Sequence, residues 1–288
     1  EKIIETAIKE AKPWTVMCAY NKINGTFCAD NYELLTEVLR NDWGYEGLVI
    51  SDWGAEDDRI EGIKAGMDLE MPGNGGRSDR KIIDAVNSGD LDEKDLDKVV
   101  ARILELVLKG SDESKEMTFN KQGHDTLAKK VASECMVLIK NDRKVLPLNP
   151  DQRVAVVGDL AKKPRYQGGG SSHINPTFLH NALEEMEKIG KVSYAQGYDI
   201  NKDLPNEALE IEAVKLAKNS EVVVVFVGLP DRYESEGYDR KHLQMPDNQV
   251  ALIENLRKVN KNVVVVLSNG SPIEMPWLDC ADAVLEGY

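Results

Sequence analysis

Residues 222 to 227 read VVVVFV, and residues 263 to 267 read VVVVL. Neither run alternates apolar with polar residues, so neither suits a sheet with one wet face. Their β-branched side chains disfavour a helix and favour an extended chain. Each run therefore predicts a strand buried on both faces in a parallel sheet, which in turn demands helical crossovers between strands.

The segments around them supply those crossovers. A helix-like stretch from His124 to Asn141 leads in, followed by VLPL and a strand from Arg153 to Gly158. Then come a strand at Lys191 to Ala195, a helix at Asn206 to Asn219, a strand at Glu221 to Val227, a helix at Asp247 to Val259, a strand at Asn262 to Leu267 and a last strand from Ala283. This is a doubly wound, mostly parallel sheet by pattern.

The first hundred residues follow a similar rhythm. A helix over 2 to 12 precedes strands at Thr15 to Ala19, Gly47 to Ile50 and Met67 to Met71, with helices at Asn31 to Asn41, Glu56 to Ala65, Arg77 to Ser88 and Leu91 to Lys109. Three parallel strands cannot close a barrel and would leave two bare edges as an open sheet, so further strands are expected upstream. The start at EKIIETAIKEAK, without Met, and the stop at EGY as the last strand ends suggest a chain cut from a longer protein. Residues 110 to 123, GSDESKEMTFNKQG, lose periodicity and gain charge. The predicted organisation is 1–110, a linker at 111–123, and 124–288.

A net charge of −14 and a pI near 4.9 argue against a nucleic-acid partner, which needs a clustered basic surface. No apolar run approaches the ~18 residues of a membrane span. Cys18, Cys28, Cys135 and Cys280 form no CxxC pair and have no histidines at metal spacing, so neither metal nor cofactor is expected. Cys18 and Cys135 lie in apolar runs and are expected to be buried free thiols. Cysteine usage favours a reducing, cytoplasmic compartment, with secretion left open by the missing amino terminus.

Polar residues at strand ends are the candidates for chemistry. In a βα barrel the loops at the carboxyl ends of strands build the site, and Asp52 closes the run GLVIS. It reads equally as a helix N-cap. Tyr20 and Asn21 end VMCAYN, and Asp68 and Glu70 alternate in MDLEMPG. Carboxylates, amides and aromatics so placed suit a sugar pocket, with Trp53 either a stacking platform or a core residue.

The stretch YNKINGTFCADNYELLTEVLRNDWGYEGLVISDWGAEDDRIEGIKAGMDLEMPG resembles the end of the barrel domain of family 3 glycoside hydrolases, the β-glucosidase and β-xylosidase group. ASECMVLIKNDRKVLPL, GGGSSHINP, ESEGYDRKHLQMP and VVVVLSNGSPIEMPW continue the likeness through the second domain. The resemblance implies the carboxyl-terminal part of a (β/α)8 TIM-type barrel followed by an α/β sandwich domain.

It also implies a retaining, exo-acting β-glycosidase, most simply a β-glucosidase, whose substrate is a β-glucoside or short β-linked oligosaccharide. Asp52 would be the nucleophile, with Tyr20 beside it and Trp53 walling the pocket. The acid/base would come from the second domain: Glu236 of ESEGYDR, with Glu234 as the alternative. The two carboxyls of a retaining enzyme stand about 5 Å apart. Burial and the charge of Asp52 should raise the pKa of the acid. An Asp, an Arg and a Lys-His pair that bind the sugar in this family belong to earlier strands not in the chain, so the chain alone is expected to be inactive. Homo-oligomerisation stays open.

Other readings are β-xylosidase, or a non-catalytic carbohydrate-binding protein on the same fold; the N-acetylglucosaminidase branch fits less well. A solvated acidic loop is the plain reading of ESEGYDR, residues 234–240, without the family likeness. Tyr166 to Ser172, YQGGGSS, could cradle a phosphate but lacks the P-loop Lys, and is read as a loop near the site entrance.

Overall fold

The structure, a computed structural model, describes residues 2–112 and 118–288 and divides into two compact units, Glu1–Thr118 and Phe119–Tyr288. Both are mixed α/β. In the first, α1 (Lys2–Thr6) runs on into a π-wound turn, Ala7–Ala11, before β1 (Thr15–Met17). A hairpin, β2 (Lys22–Ile23) and β3 (Thr26–Phe27), turns on Asn24 and Gly25. Both have positive φ, as a primed hairpin turn requires, and Asn-Gly is the residue pair that such a turn favours. A π-wound helix, Glu33–Asp42, leads to β4 (Leu48–Ile50), then α2 (Arg59–Ala65), α3 (Arg77–Ser88) and α4 (Glu93–Asp112).

β1 and β4 pair in parallel from Thr15 with Leu48 to Met17 with Ile50. The strand expected over Met67 to Met71 reduces to one parallel bridge, Leu69 to Ile50. Side chains replace part of its ladder: the Asp68 carboxylate accepts the Val49 N–H at 2.8 Å, and Ser51 Oγ accepts the Met71 N–H at 2.8 Å. Leu35, Leu39, Tyr45, Val49 and Met67 form a core on one side of this short sheet. β1 stays largely uncovered, with Met17 62% exposed.

The second unit begins with α5 (Lys121–Cys135), capped by the Asn120 side chain, which accepts the Gly123 N–H. Helix thus occupies both ends of the expected linker, whose residues 113–117 lie outside the described residues. The helix expected to reach Asn141 stops at Cys135. Val137–Asn141 is instead β5, because its apolar residues pair antiparallel with a sheet edge. Cys135 is exposed, not buried, since α5 buries none of its residues; Cys18 and Cys28 are buried.

The remaining elements are β6 (Arg153–Val157), α6 (Asp159–Lys162), α7 (Ala182–Glu187), β7 (Lys191–Ala195), α8 (Glu207–Lys218), β8 (Val222–Gly228), α9 (Asp247–Val259), β9 (Val263–Ser268) and β10 (Ala283–Glu286). The sheet order is β5-β10-β9-β8-β6-β7, parallel except at β5. One face packs Val223, Val225 and Val265 against Leu252, Leu256 and Trp277. The other packs Val156, Val224 and Val264 with Ala161 and Leu183. β8 is central and buried on both faces, as its valine run requires.

Candidate active site

Two strand ends carry the candidate acids, one in each unit. After β4 the chain is pinned by Ser51, whose N–H donates to the Leu69 carbonyl at 2.9 Å and whose hydroxyl bonds the Met71 main chain. The next residue, Asp52, is half-buried. Its Oδ1 accepts the Trp53 N–H at 2.7 Å and lies 3.0 Å from the Tyr20 hydroxyl. That hydroxyl is also 2.9 Å from the Trp53 carbonyl, so it joins the ends of the two parallel strands β1 and β4.

Asp52 is not a helix cap. α2 starts seven positions later, at Arg59, where Asp58 does the capping, accepting the Ile60 and Glu61 N–H groups at 2.8 and 3.3 Å. Trp53 is not a core residue either, being 67% exposed. A carboxyl oxygen that faces a main-chain N–H and a hydroxyl, with an exposed indole beside it, is suited to attack a carbon centre in a ligand with an apolar face.

The other carboxylates of this segment divide. Asp68 is fully buried between Arg40 at 2.8 Å and Arg102 at 2.9 Å and ties the helices to β4, so it holds the fold together and is withdrawn from any pocket. Glu70 accepts from the Asn74 amide at 2.9 Å. Glu56, which the sequence did not single out, has a side chain only 2% exposed. It pairs with Arg59 at 3.0 Å, while its Oε2 has no hydrogen-bond partner among the described residues. Burial pushes its carboxyl up to about 7 despite the arginine.

In the second unit the loop after β8 carries Glu234 and Glu236. Glu234 is held by the Arg165 guanidinium, by the Ser271 hydroxyl and by the Gly270 N–H at 3.0 Å. Burial alone would raise its carboxyl. The bonds from Ser271, Arg165 and Gly270 outweigh that and hold it below the usual carboxylate range. Arg165 also reaches Asp231 at 3.2 Å. A carboxylate so heavily donated to is poorly suited to carry a proton at neutral pH.

Glu236, by contrast, is exposed, and its Oε2 accepts the Ser171 N–H at 2.8 Å. The glycine loop therefore lies against this acid: Gly169 bridges Ser235 in parallel. A cavity of about 520 Å³ is lined by Glu236, Glu234, Tyr238, Arg240, Gly169 and Ser271, among others. Sequence reasoning singled out neither Arg165 nor Ser271, and no local signal could have found them, because they lie 69 and 37 positions from Glu234.

Comparison with known proteins places both units in one family. Residues 4–106 match the Glycosyl hydrolase family 3 N terminal domain, and residues 136–288 match the Glycosyl hydrolase family 3 C-terminal domain. The chain is 52% identical over 289 residues to thermostable beta-glucosidase B of Acetivibrio thermocellus, covering 99% of this chain and 38% of that protein. It is 44% identical over 297 residues to an exo-alpha-(1->6)-L-arabinopyranosidase of Bifidobacterium longum, covering 99% and 39%. A crystal structure of a GH3 beta-glucosidase from Bifidobacterium adolescentis superposes with a TM-score of 0.88 at 42% identity, over 99% of this chain and 42% of that one. The chain thus spans about two-fifths of each of these proteins. With both family domains matched in order along almost its whole length, the chain belongs to glycosyl hydrolase family 3.

Proposed function

We propose that the protein containing this chain is a retaining, exo-acting β-glycosidase, most simply a β-glucosidase. The observation that carries this reading is Asp52, held at the end of β4 by two donors to one oxygen and set beside an exposed Trp53. In the first step the Asp52 carboxylate attacks the anomeric carbon, while Glu236 protonates the glycosidic oxygen as its bond to carbon breaks. In the second, Glu236 takes a proton from water, the resulting hydroxide adds to the anomeric carbon, and Asp52 leaves as a carboxylate. The exposure of Glu236 and the full complement of donors on Glu234 favour Glu236 as the acid/base.

The test is an activated 2-deoxy-2-fluoro-β-glucoside incubated with the full-length protein, followed by peptide mapping. A glycosyl adduct on the peptide holding Asp52 is expected. An adduct elsewhere, or none with a folded protein that still binds glucose, would overturn the reading in favour of another nucleophile or of a carbohydrate-binding protein.

The likeness to an arabinopyranosidase favours a second reading of the sugar alone. An α-L-arabinopyranoside, like a β-D-glucoside or β-D-xyloside, presents an equatorial glycosidic bond, so the same pair of acids could serve all three. Ratios of kcat/KM on the three 4-nitrophenyl glycosides decide between them.

A further inference from the structure

We propose that Gly169, Gly170 and Ser171 form a seat that orients Glu236 for proton transfer, a positioning role resting on the acid/base reading above. The glycine loop follows β6 and the acid loop follows β8. These strands are parallel neighbours, so their carboxyl-terminal loops emerge side by side. Gly169 bridges Ser235, and the Ser171 N–H donates to Glu236 Oε2 at 2.8 Å.

The space between the loops admits no side chain. Gly170 has φ of 88°, and a Cβ there would stand 2.6 Å from Glu236 Cβ and 2.7 Å from its Oε2. At Gly169 a Cβ would stand 2.8 Å from Ser235 Oγ and 3.0 Å from its Cβ. The loop is stiffened from within by Ser172 Oγ donating to the Gly168 carbonyl at 2.9 Å and by the Ile174 N–H donating to Gln167 Oε1 at 2.8 Å. Arg165, just before the loop, binds Glu234, two residues before the acid.

The purpose of such close contact is rotameric. A surface glutamate samples several orientations, whereas proton transfer to a leaving oxygen needs one, and small misplacement of a catalytic group is costly. A main-chain N–H on one carboxylate oxygen, with the backbone pressed against Cβ, restricts that freedom.

The test uses the full-length protein with Gly170→Ala and Gly169→Ala, and with Glu236→Ala in parallel. Gly170→Ala should lower kcat/KM on alkyl glucosides by about 10-fold or more and on 2,4-dinitrophenyl glucoside by less than about 3-fold. Azide, which attacks the glycosyl-enzyme without a general base, should restore turnover of the activated substrate and yield the β-glucosyl azide. A merely structural defect would depress both substrates alike and would not respond to azide. Gly169→Ala has an ordinary backbone and presses on the Ser235 side chain and, at 3.2 Å, on the Glu234 carbonyl rather than on Glu236 itself, so it should show the same split in weaker form if Gly170→Ala does not fold. If Glu236→Ala shows the split and azide rescue but the folded glycine variants do not, the seat is wrong and the acid/base assignment stands. If Glu236→Ala itself lacks them, the assignment fails and the seat with it.

Discussion

Glu56 in the first unit and Glu234 in the second are both withdrawn from water, with side chains 2% and 13% exposed. Each stands a few residues from a candidate catalytic acid, Asp52 or Glu236. Yet one carboxyl is pushed up to about 7 and the other is held below the usual range. Among the described residues Glu56 has a single arginine and an oxygen with no hydrogen-bond partner, whereas Glu234 has an arginine, a hydroxyl and a main-chain N–H. Burial works in the same direction at both sites, and the count of donors decides the outcome.

The largest effect should come from the acid that neither of these supports directly. Asp52→Asn keeps the shape of the strand end but removes the charge of the proposed nucleophile, and should lower kcat of the full-length protein by at least about 10³-fold. Near-normal turnover would show that the first strand end is not the reacting one.

The two buried acids should then give stability slopes of opposite sign. For Glu56 the folded value lies above the ordinary 4.5, so the folded state holds the extra proton between pH 4.5 and about 7. Stability should fall as pH rises through that window. Glu56→Gln should therefore gain on the wild type by up to about 3 kcal/mol from pH 4.5 to 8, read from denaturant midpoints. A constant difference across pH would mean that Arg59 neutralises the burial.

For Glu234 the folded value lies below the ordinary one, so its contribution is present above that range and is lost as pH falls through the folded value. Glu234→Gln should cost about 1–2 kcal/mol at pH 7 and less in acid, because Arg165 loses its charged partner while keeping Asp231. Equal cost at pH 3 and pH 7 would dissolve the contrast between the two acids.

The smallest effect is expected from Tyr20→Phe, which removes one donor near Asp52 and leaves the Trp53 N–H in place. A loss of about 1 kcal/mol in transition-state stabilisation, seen in kcat/KM, is the measure of that hydroxyl. No change would assign the tyrosine proton to the Trp53 carbonyl instead.

Much of the second unit was legible because its signal is local. Valines on both faces of residues 222–227 can be satisfied only at the centre of a covered sheet, and β8 lies there. The strand at Val137–Asn141 was misread as helix because its partner, β10, is more than 140 residues away. In the first unit the position of Asp52 at a strand end was readable, but its competition with Asp58 for the cap of α2 was not, since both stand ahead of the same helix.

The sequence by itself determined the alternation of strands and helices, the two-unit order and the family likeness, because periodicity and motif are properties of neighbours along the chain. Only the tertiary structure decided that Asp68 is locked between two arginines, that Glu234 is clamped, and that Glu236 rests on a glycine loop. Those partners lie 28 to 69 positions apart. Arg40 and Arg102 reach Asp68 from helices packed in the first unit, and Arg165 and Ser171 reach the two glutamates because parallel pairing sets the loops after β6 and β8 side by side. Desolvation and the number of donors then fix what each acid can do.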